Sequence, residues 1–137
     1  MAVKTEWKGN MEFLTKTESN HEMVLDASPK VGGNDKGVRP KELLLVGLTG
    51  CTGMDVVSIL KKMKVEDYSL RIEAEHEDTE EHPVHYKKIH LKYFFKLDDD
   101  SKKSKVEKAV NLSQERYCGV SEMLKKASEL TYEIIYE

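Results

Sequence analysis

Residues 40–60 read PKELLLVGLTGCTGMDVVSIL, and this stretch decides the fold. Pro40 suits the first position of a helix, where its missing N–H is no loss. Apolar residues continue to Met63, so the spacing predicts a central helix over 40–64, about 24 residues and about 36 Å long at 1.5 Å per residue. Nearly every face of it is apolar, which predicts burial all round. The run from Leu43 to Leu60 barely reaches the length of a membrane span. It also carries Asp55, three glycines and several hydroxyls, so a core helix is expected and no membrane. Gly47, Gly50 and Gly53 each cost about 1 kcal/mol relative to alanine in a helix interior. Such a cost implies close approach of another backbone or a ligand.

Strands flank this helix on both sides. Upstream, Val3 to Trp7 and Met11 to Thr17 alternate apolar and polar residues around Gly9-Asn10, a hairpin signal. Glu22 to Ala27 supplies a third strand, which places N-terminal strands within 1–27. SPKVGGNDKGV then predicts a loop over 28–39. Downstream, strands are expected within 68–97. Leu70, Ile72, Ala74 and His76 share one face of the first, and Ile89, Leu91, Tyr93 and Phe95 the inward face of the second. Val106, Ala109, Val110, Ser113, Tyr117, Val120, Leu124 and Ala127 follow at helical spacing, predicting helices over 102–129 with an interruption near Gly119. A strand over 130–136 closes the chain. The order describes an α+β protein, read as a single domain over 1–137.

Charged residues make up 34% of the chain and the net charge is −3. Lysines interleave with glutamates, as on a solvated surface. No concentrated basic face is present, which argues against nucleic acid as a partner. The N-terminus MAVKTEWKGN has no apolar run, so no secretory leader is expected and the cytoplasm is the expected location.

Two cysteines, Cys51 and Cys118, match no zinc spacing and no CxxC motif. On composition alone they read as small buried hydrophobes or a structural disulfide. Asp55 follows Cys51 by one turn, and its charge would raise the thiol pKa. A structural role for it, bonding a buried group, weighs above a catalytic one. His76, His82, His85 and His90 fall on one predicted hairpin and read as solvated residues rather than a zinc site. No metal and no bound cofactor is expected.

The stretch around Cys51 is similar to a signature of the OsmC/Ohr family, in which a proline-initiated apolar helix carries the peroxidatic cysteine. YCGVSEML, around Cys118, resembles the second signature, usually Cys-Pro-Val-Ser, which carries the resolving cysteine. The resemblance implies an OsmC-like fold, with antiparallel sheets around a long buried helix in an intertwined homodimer whose sites lie at the interface. It also implies thiol-dependent reduction of an organic hydroperoxide. Cys51 would be oxidised to a sulfenic acid, Cys118 would close a disulfide with it, and a small dithiol or a lipoylated protein would restore both thiols. The alternative on the same fold is a non-catalytic module binding an apolar ligand or serving in stress.

Three positions depart from the family pattern. Lys41, not glutamate, follows Pro40, and Glu42 comes one position later. No arginine stands near Lys30, and Gly119 replaces the proline after the second cysteine. Arg39 is the best substitute cation, with Glu42 to orient it; Arg71 reads as a sheet-surface residue and Arg116 as a weaker candidate. Cys51 lies about 12 residues into its own helix, beyond reach of that helix's positive end. The expected site is therefore shared, with Arg39, ahead of Lys41 or Lys30, supplied by the partner subunit. Cys118 is expected where a helix ends, at a negative pole that suits a resolving thiol.

Overall fold

A computed structural model describes all 137 residues, which form two compact units, Met1–Val46 and Gly47–Glu137. In the first, β1 (Lys4–Gly9), β2 (Glu12–Lys16) and β3 (Glu22–Leu25) make an antiparallel sheet in that order. Gly9 and Asn10 turn the hairpin with φ of 105° and 49°, values that glycine and asparagine tolerate best. Asp26 is buried at the end of β3 and accepts the backbone N–H groups of Ala27 (2.7 Å), Lys36 (3.1 Å) and Asn34 (3.2 Å). One carboxylate thus organises the whole loop that follows. Burial pushes its pKa up, but the three N–H groups outweigh burial and hold it below the usual carboxylate range. Gly37 is needed there, because a Cβ would stand 2.2 Å from the Val24 carbonyl oxygen.

Helix α1 spans Glu42–Lys62. Pro40 and Lys41 form the turn that leads into it, so the helix begins two residues after the expected start. The Arg39 backbone N–H donates to Glu42 Oε2 at 3.1 Å, closing the orphan donor of the first turn in the manner of a capping box.

The second unit packs the rest of α1 and two further helices on one sheet. Strand β4 (Tyr68–Asp78) pairs antiparallel with β5 (Tyr86–Leu97), and β5 pairs with β6 (Glu129–Tyr136) in parallel. The sheet is therefore mixed rather than antiparallel throughout. The helical segment between β5 and β6 is long enough to carry the chain back for a parallel pairing. Ile89, Leu91, Tyr93 and Phe95 are all fully buried, as their alternation required. Against them lie Leu48, Thr52, Val56 and Leu60 of α1 and Val106, Ala109 and Val110 of α2 (Lys103–Leu112).

Burial of α1 is one-sided. By length and composition it could cross a membrane, but every fourth residue from Leu48 to Leu60 sits in the core. The opposite face leaves Leu44, Val46, Met54 and Val57 exposed, Met54 at 76%. The glycines divide the same way. A Cβ on Gly53 would approach Ile72 Cδ1 to 3.2 Å, whereas Gly47 and Gly50 face open space. The expectation of burial all round holds for half the helix surface, because an apolar residue in a sequence does not say what covers it.

After α2 the chain makes a π-helical turn, Ser113–Tyr117, and then α3 (Gly119–Lys125). The wider turn shifts the phase of the apolar stripe. Tyr117 and Ala127, expected inward by α-helical spacing, are exposed.

Candidate thiol site

Cys51 comes from the middle of α1 and is half-buried; Cys118, between the π-turn and α3, is buried. Both are free thiols. Cys51 Sγ, Cys118 Sγ and a carboxylate oxygen of Asp55 all lie within 4.8 Å of one another. One helical turn separates Cys51 from Asp55 on α1, so their closeness follows from local geometry. Cys118 is brought in by the fold, 67 positions later.

Cys118 closes one helical segment and opens the next. As the C-cap of the π-turn, the expected helix end, its N–H donates to the Ser113 carbonyl at 2.8 Å. It is also the N-cap of α3, where its Sγ accepts the backbone N–H of Ser121 at 3.4 Å. The expected negative pole is thus joined by a positive one. This also changes the account of Cys51, whose Sγ accepts the backbone N–H of Val120, from the first turn of the same helix. The dipole of α1 is out of reach of Cys51, as its position in that helix requires. A different helix end supplies the donor.

The balance at Cys51 still opposes the thiolate. Burial raises its pKa most, the Val120 N–H lowers it, and the Cys118 thiol and the Asp55 charge both raise it. None of these influences is a cation.

Behind the thiols lies a buried polar chain that sequence reasoning missed. Thr52 Oγ1 is 2.6 Å from Tyr93 Oη and 2.7 Å from Ser113 Oγ. Ser113 Oγ donates to Asp55 Oδ2 at 3.1 Å. Gln114 Nε2 donates to Tyr93 Oη at 2.7 Å and to Thr52 Oγ1 at 3.2 Å. Burial pushes the Tyr93 phenol up to about 12, so it stays neutral. The π-turn makes this possible by presenting Ser113 and Gln114, adjacent residues, to the same interior. Two signals were available. Tyr93 and Ser113 both occupied predicted inward positions, and an inward hydroxyl demands a partner. A cleft of about 370 Å³ lined by Asp55, Ser58, Ile59, Lys62, Leu112 and Tyr117 opens beside Asp55.

Arg39 and Glu42 belong to the first unit. The Arg39 guanidinium pairs with Asp35 at 2.6 Å and donates to the Gly37 carbonyl at 3.0 Å. Glu42 caps the helix. Arg71 pairs with Glu73 at 2.7 Å and Glu137 at 3.4 Å and lies 4.0 Å above the Phe94 ring, a sheet-surface role as expected. Arg116 lies over the Tyr117 ring. The hairpin histidines have local partners: His76 with Asp78, His85 with the Pro83 carbonyl, His90 with Thr131 and Glu133.

The profile of the family described as OsmC-like protein matches residues 33–133. Protein YhfA of Escherichia coli K12 is 34% identical over 137 residues, covering 98% of each chain. The crystal structure of a hypothetical protein from Aquifex aeolicus superposes with a TM-score of 0.78 at 33% identity, covering 99% of this chain and 96% of the other. The organic hydroperoxide resistance protein OhrB of Bacillus subtilis shares the fold, with a TM-score of 0.67, 17% identity and 98% coverage of each chain.

Proposed function

This chain belongs to the OsmC-like family, and from that premise we propose that it is a thiol-dependent hydroperoxide reductase acting through Cys51 and Cys118. The observation that carries the reading is the pairing of a half-exposed thiol with a buried one within 4.8 Å, both receiving backbone N–H groups from the start of α3. An attacking thiol must meet a substrate from solvent, and a resolving thiol needs only to meet the first. The Cys51 thiolate attacks the peroxide oxygen, releases the alcohol, and becomes a sulfenic acid. Cys118 displaces the hydroxyl as water and leaves a disulfide. A small dithiol or a lipoylated protein reduces it.

The half of α1 that stays bare supports a homodimer as the working form. Exposed Leu44, Val46, Met54 and Val57, with Gly47 and Gly50 open to close approach, make a face suited to a second copy. In that dimer the partner's Arg39, its guanidinium oriented by Asp35 and the Gly37 carbonyl rather than by the expected Glu42, is the cation that the Cys51 site lacks.

Stopped-flow mixing of the reduced protein with cumene hydroperoxide, beside hydrogen peroxide, tests the function. Cys51→Ser should consume no peroxide. Cys118→Ser should react once and leave a sulfenic acid on Cys51 that a dimedone probe captures. A wild-type protein that leaves both peroxides intact refutes the reading, and a sulfenic acid found on Cys118 reverses the assignment.

A further inference from the structure

The hydrogen-bond chain behind the thiols has only one direction. The ionised Asp55 carboxylate accepts and cannot donate, so the Ser113 hydroxyl proton is spent on it. The Thr52–Ser113 bond must then be donated by Thr52. With the Thr52 proton spent, the Thr52–Tyr93 bond must be donated by Tyr93. Gln114 starts the sequence with its amide protons on Tyr93 and Thr52. Every donor therefore points, link by link, at Asp55. Such a chain polarises itself and strengthens the last bond.

A protonated Asp55 would donate to Ser113 and reverse each link, leaving the Tyr93 proton in need of an acceptor. Gln114 Oε1 is a buried side-chain acceptor without a partner, and a flip of its amide places it where the Tyr93 hydroxyl requires it. The chain has a bonded arrangement for both protonation states of Asp55.

Cys118 poses the matching problem. It is 3% exposed, so its proton cannot leave directly to water when it attacks. Asp55, half-exposed and facing the cleft, is the acceptor within 4.8 Å.

We propose that Asp55 is the proton carrier of disulfide closure, taking the proton from Cys118 Sγ and giving it to the hydroxyl that leaves Cys51, while Tyr93, Thr52 and Ser113 hold it in position. This rests on the thiol reading above and specifies its second step. The Cys118 thiolate attacks Cys51 Sγ, the S–S bond forms, and the S–O bond breaks with its electron pair going to oxygen. Asp55 protonates that oxygen to water and is a carboxylate again. Cys51 sulfur is reduced, Cys118 sulfur is oxidised, and no other reactant is consumed.

The test compares wild type, Asp55→Asn and Ser113→Ala in two arms. In the first, cumene hydroperoxide starts the reaction, and sulfenic acid and disulfide are followed by quenching and mass spectrometry. In the second, Ellman's reagent labels Cys51 with release of one thionitrobenzoate, and closure by Cys118 releases the second, read by absorbance. Asp55→Asn should form sulfenic acid at least as fast as wild type but close the disulfide about 100-fold more slowly at neutral pH, the lower end of what a placed proton-transfer group contributes. The deficit should shrink as pH rises, because hydroxide then replaces the missing base. Ser113→Ala should slow closure less and keep the wild-type shape of the pH profile. Closure by Asp55→Asn at the wild-type rate across the pH range, in both arms, overturns the proposal. Wild type that forms no sulfenic acid, yet closes in the Ellman arm with the same dependence on Asp55, overturns the peroxidase reading and leaves the proton carrier standing.

Discussion

Replacing Thr52 with valine probes the buried chain without changing its shape. Thr52 is fully buried and touches Tyr93, Ser113 and Gln114. In Thr52→Val, Ser113 keeps Asp55 and Tyr93 keeps Gln114, whose flipped amide accepts its proton, but the three hydrogen bonds of the Thr52 hydroxyl are lost. Each lost hydrogen bond costs about 0.5–1.5 kcal/mol. A total near 3 kcal/mol is expected. At about 2.1 cal/mol/K per residue the 137-residue chain has an unfolding entropy near 0.3 kcal/mol/K, so Tm should fall by about 10 °C. Thr52→Ser is the control, since it keeps the hydroxyl and deletes one methyl group, worth about 1 kcal/mol. Urea unfolding and thermal melts of both variants at fixed protein concentration measure the difference. A Thr52→Val protein as stable as Thr52→Ser would show that the hydroxyl chain contributes nothing, and the direction assigned to it would lose its support.

Three other outcomes follow from single positions. Gly119 is the first residue of α3 with no neighbour within 4 Å of a built Cβ, and Cys118 before it is extended, so Gly119→Pro should stabilise by about 0.4–1 kcal/mol, seen as a higher Tm. Asp26 has a folded pKa below its unfolded one, so its contribution is present above the unfolded value, about pH 4, and is lost as pH falls through the folded value. Asp26→Asn should therefore destabilise at neutral pH and flatten the acid limb of the stability–pH curve. Gly50→Leu and Met54→Asp alter the bare face of α1, where the chain itself meets nothing at Gly50 and Met54 is 76% exposed. Sedimentation should find both variants folded and monomeric where wild type is a dimer, and a wild-type monomer would remove that part of the proposal.

What the sequence told and withheld follows the physics of each element. The inward face of β5 was legible because alternation needs only one buried side, and Ile89 to Phe95 show it. The location of both cysteines relative to helices was half legible. Cys51 in mid-helix follows from the long apolar run. Cys118 stands at the end of one helical segment, as expected, but the helix that starts there was missed, because Gly119 reads as a stop when it is also the first residue of α3. The π-turn left no mark in composition, and it is the turn that carries Ser113 and Gln114 inward and Tyr117 outward. Polar residues at inward positions were the overlooked signal. Thr52, Tyr93 and Ser113 each sat on a predicted core face, and each hydroxyl there required the others.

The site sets one carboxylate to opposite uses. Asp55 disfavours the Cys51 thiolate that begins the reaction, and it is the base that lets buried Cys118 finish it. These demands conflict only if both fall on the same step. Attack needs a Cys51 thiolate, which the proposed partner Arg39 stabilises. Closure begins once Cys51 carries a neutral sulfenic acid, and it needs only the base beside buried Cys118. The two contributions should then separate in time. Arg39→Ala should slow sulfenic acid formation and leave closure from the Ellman-labelled protein at its wild-type rate. Asp55→Asn should do the reverse. In the double variant attack should recover part of the rate lost in Arg39→Ala, because the repelling charge is gone, while closure stays as slow as in Asp55→Asn. An Arg39→Ala protein that is slow in closure as well would mean that the arginine acts on the pair as a whole, and the division between an open thiol and a buried one would have to be given up.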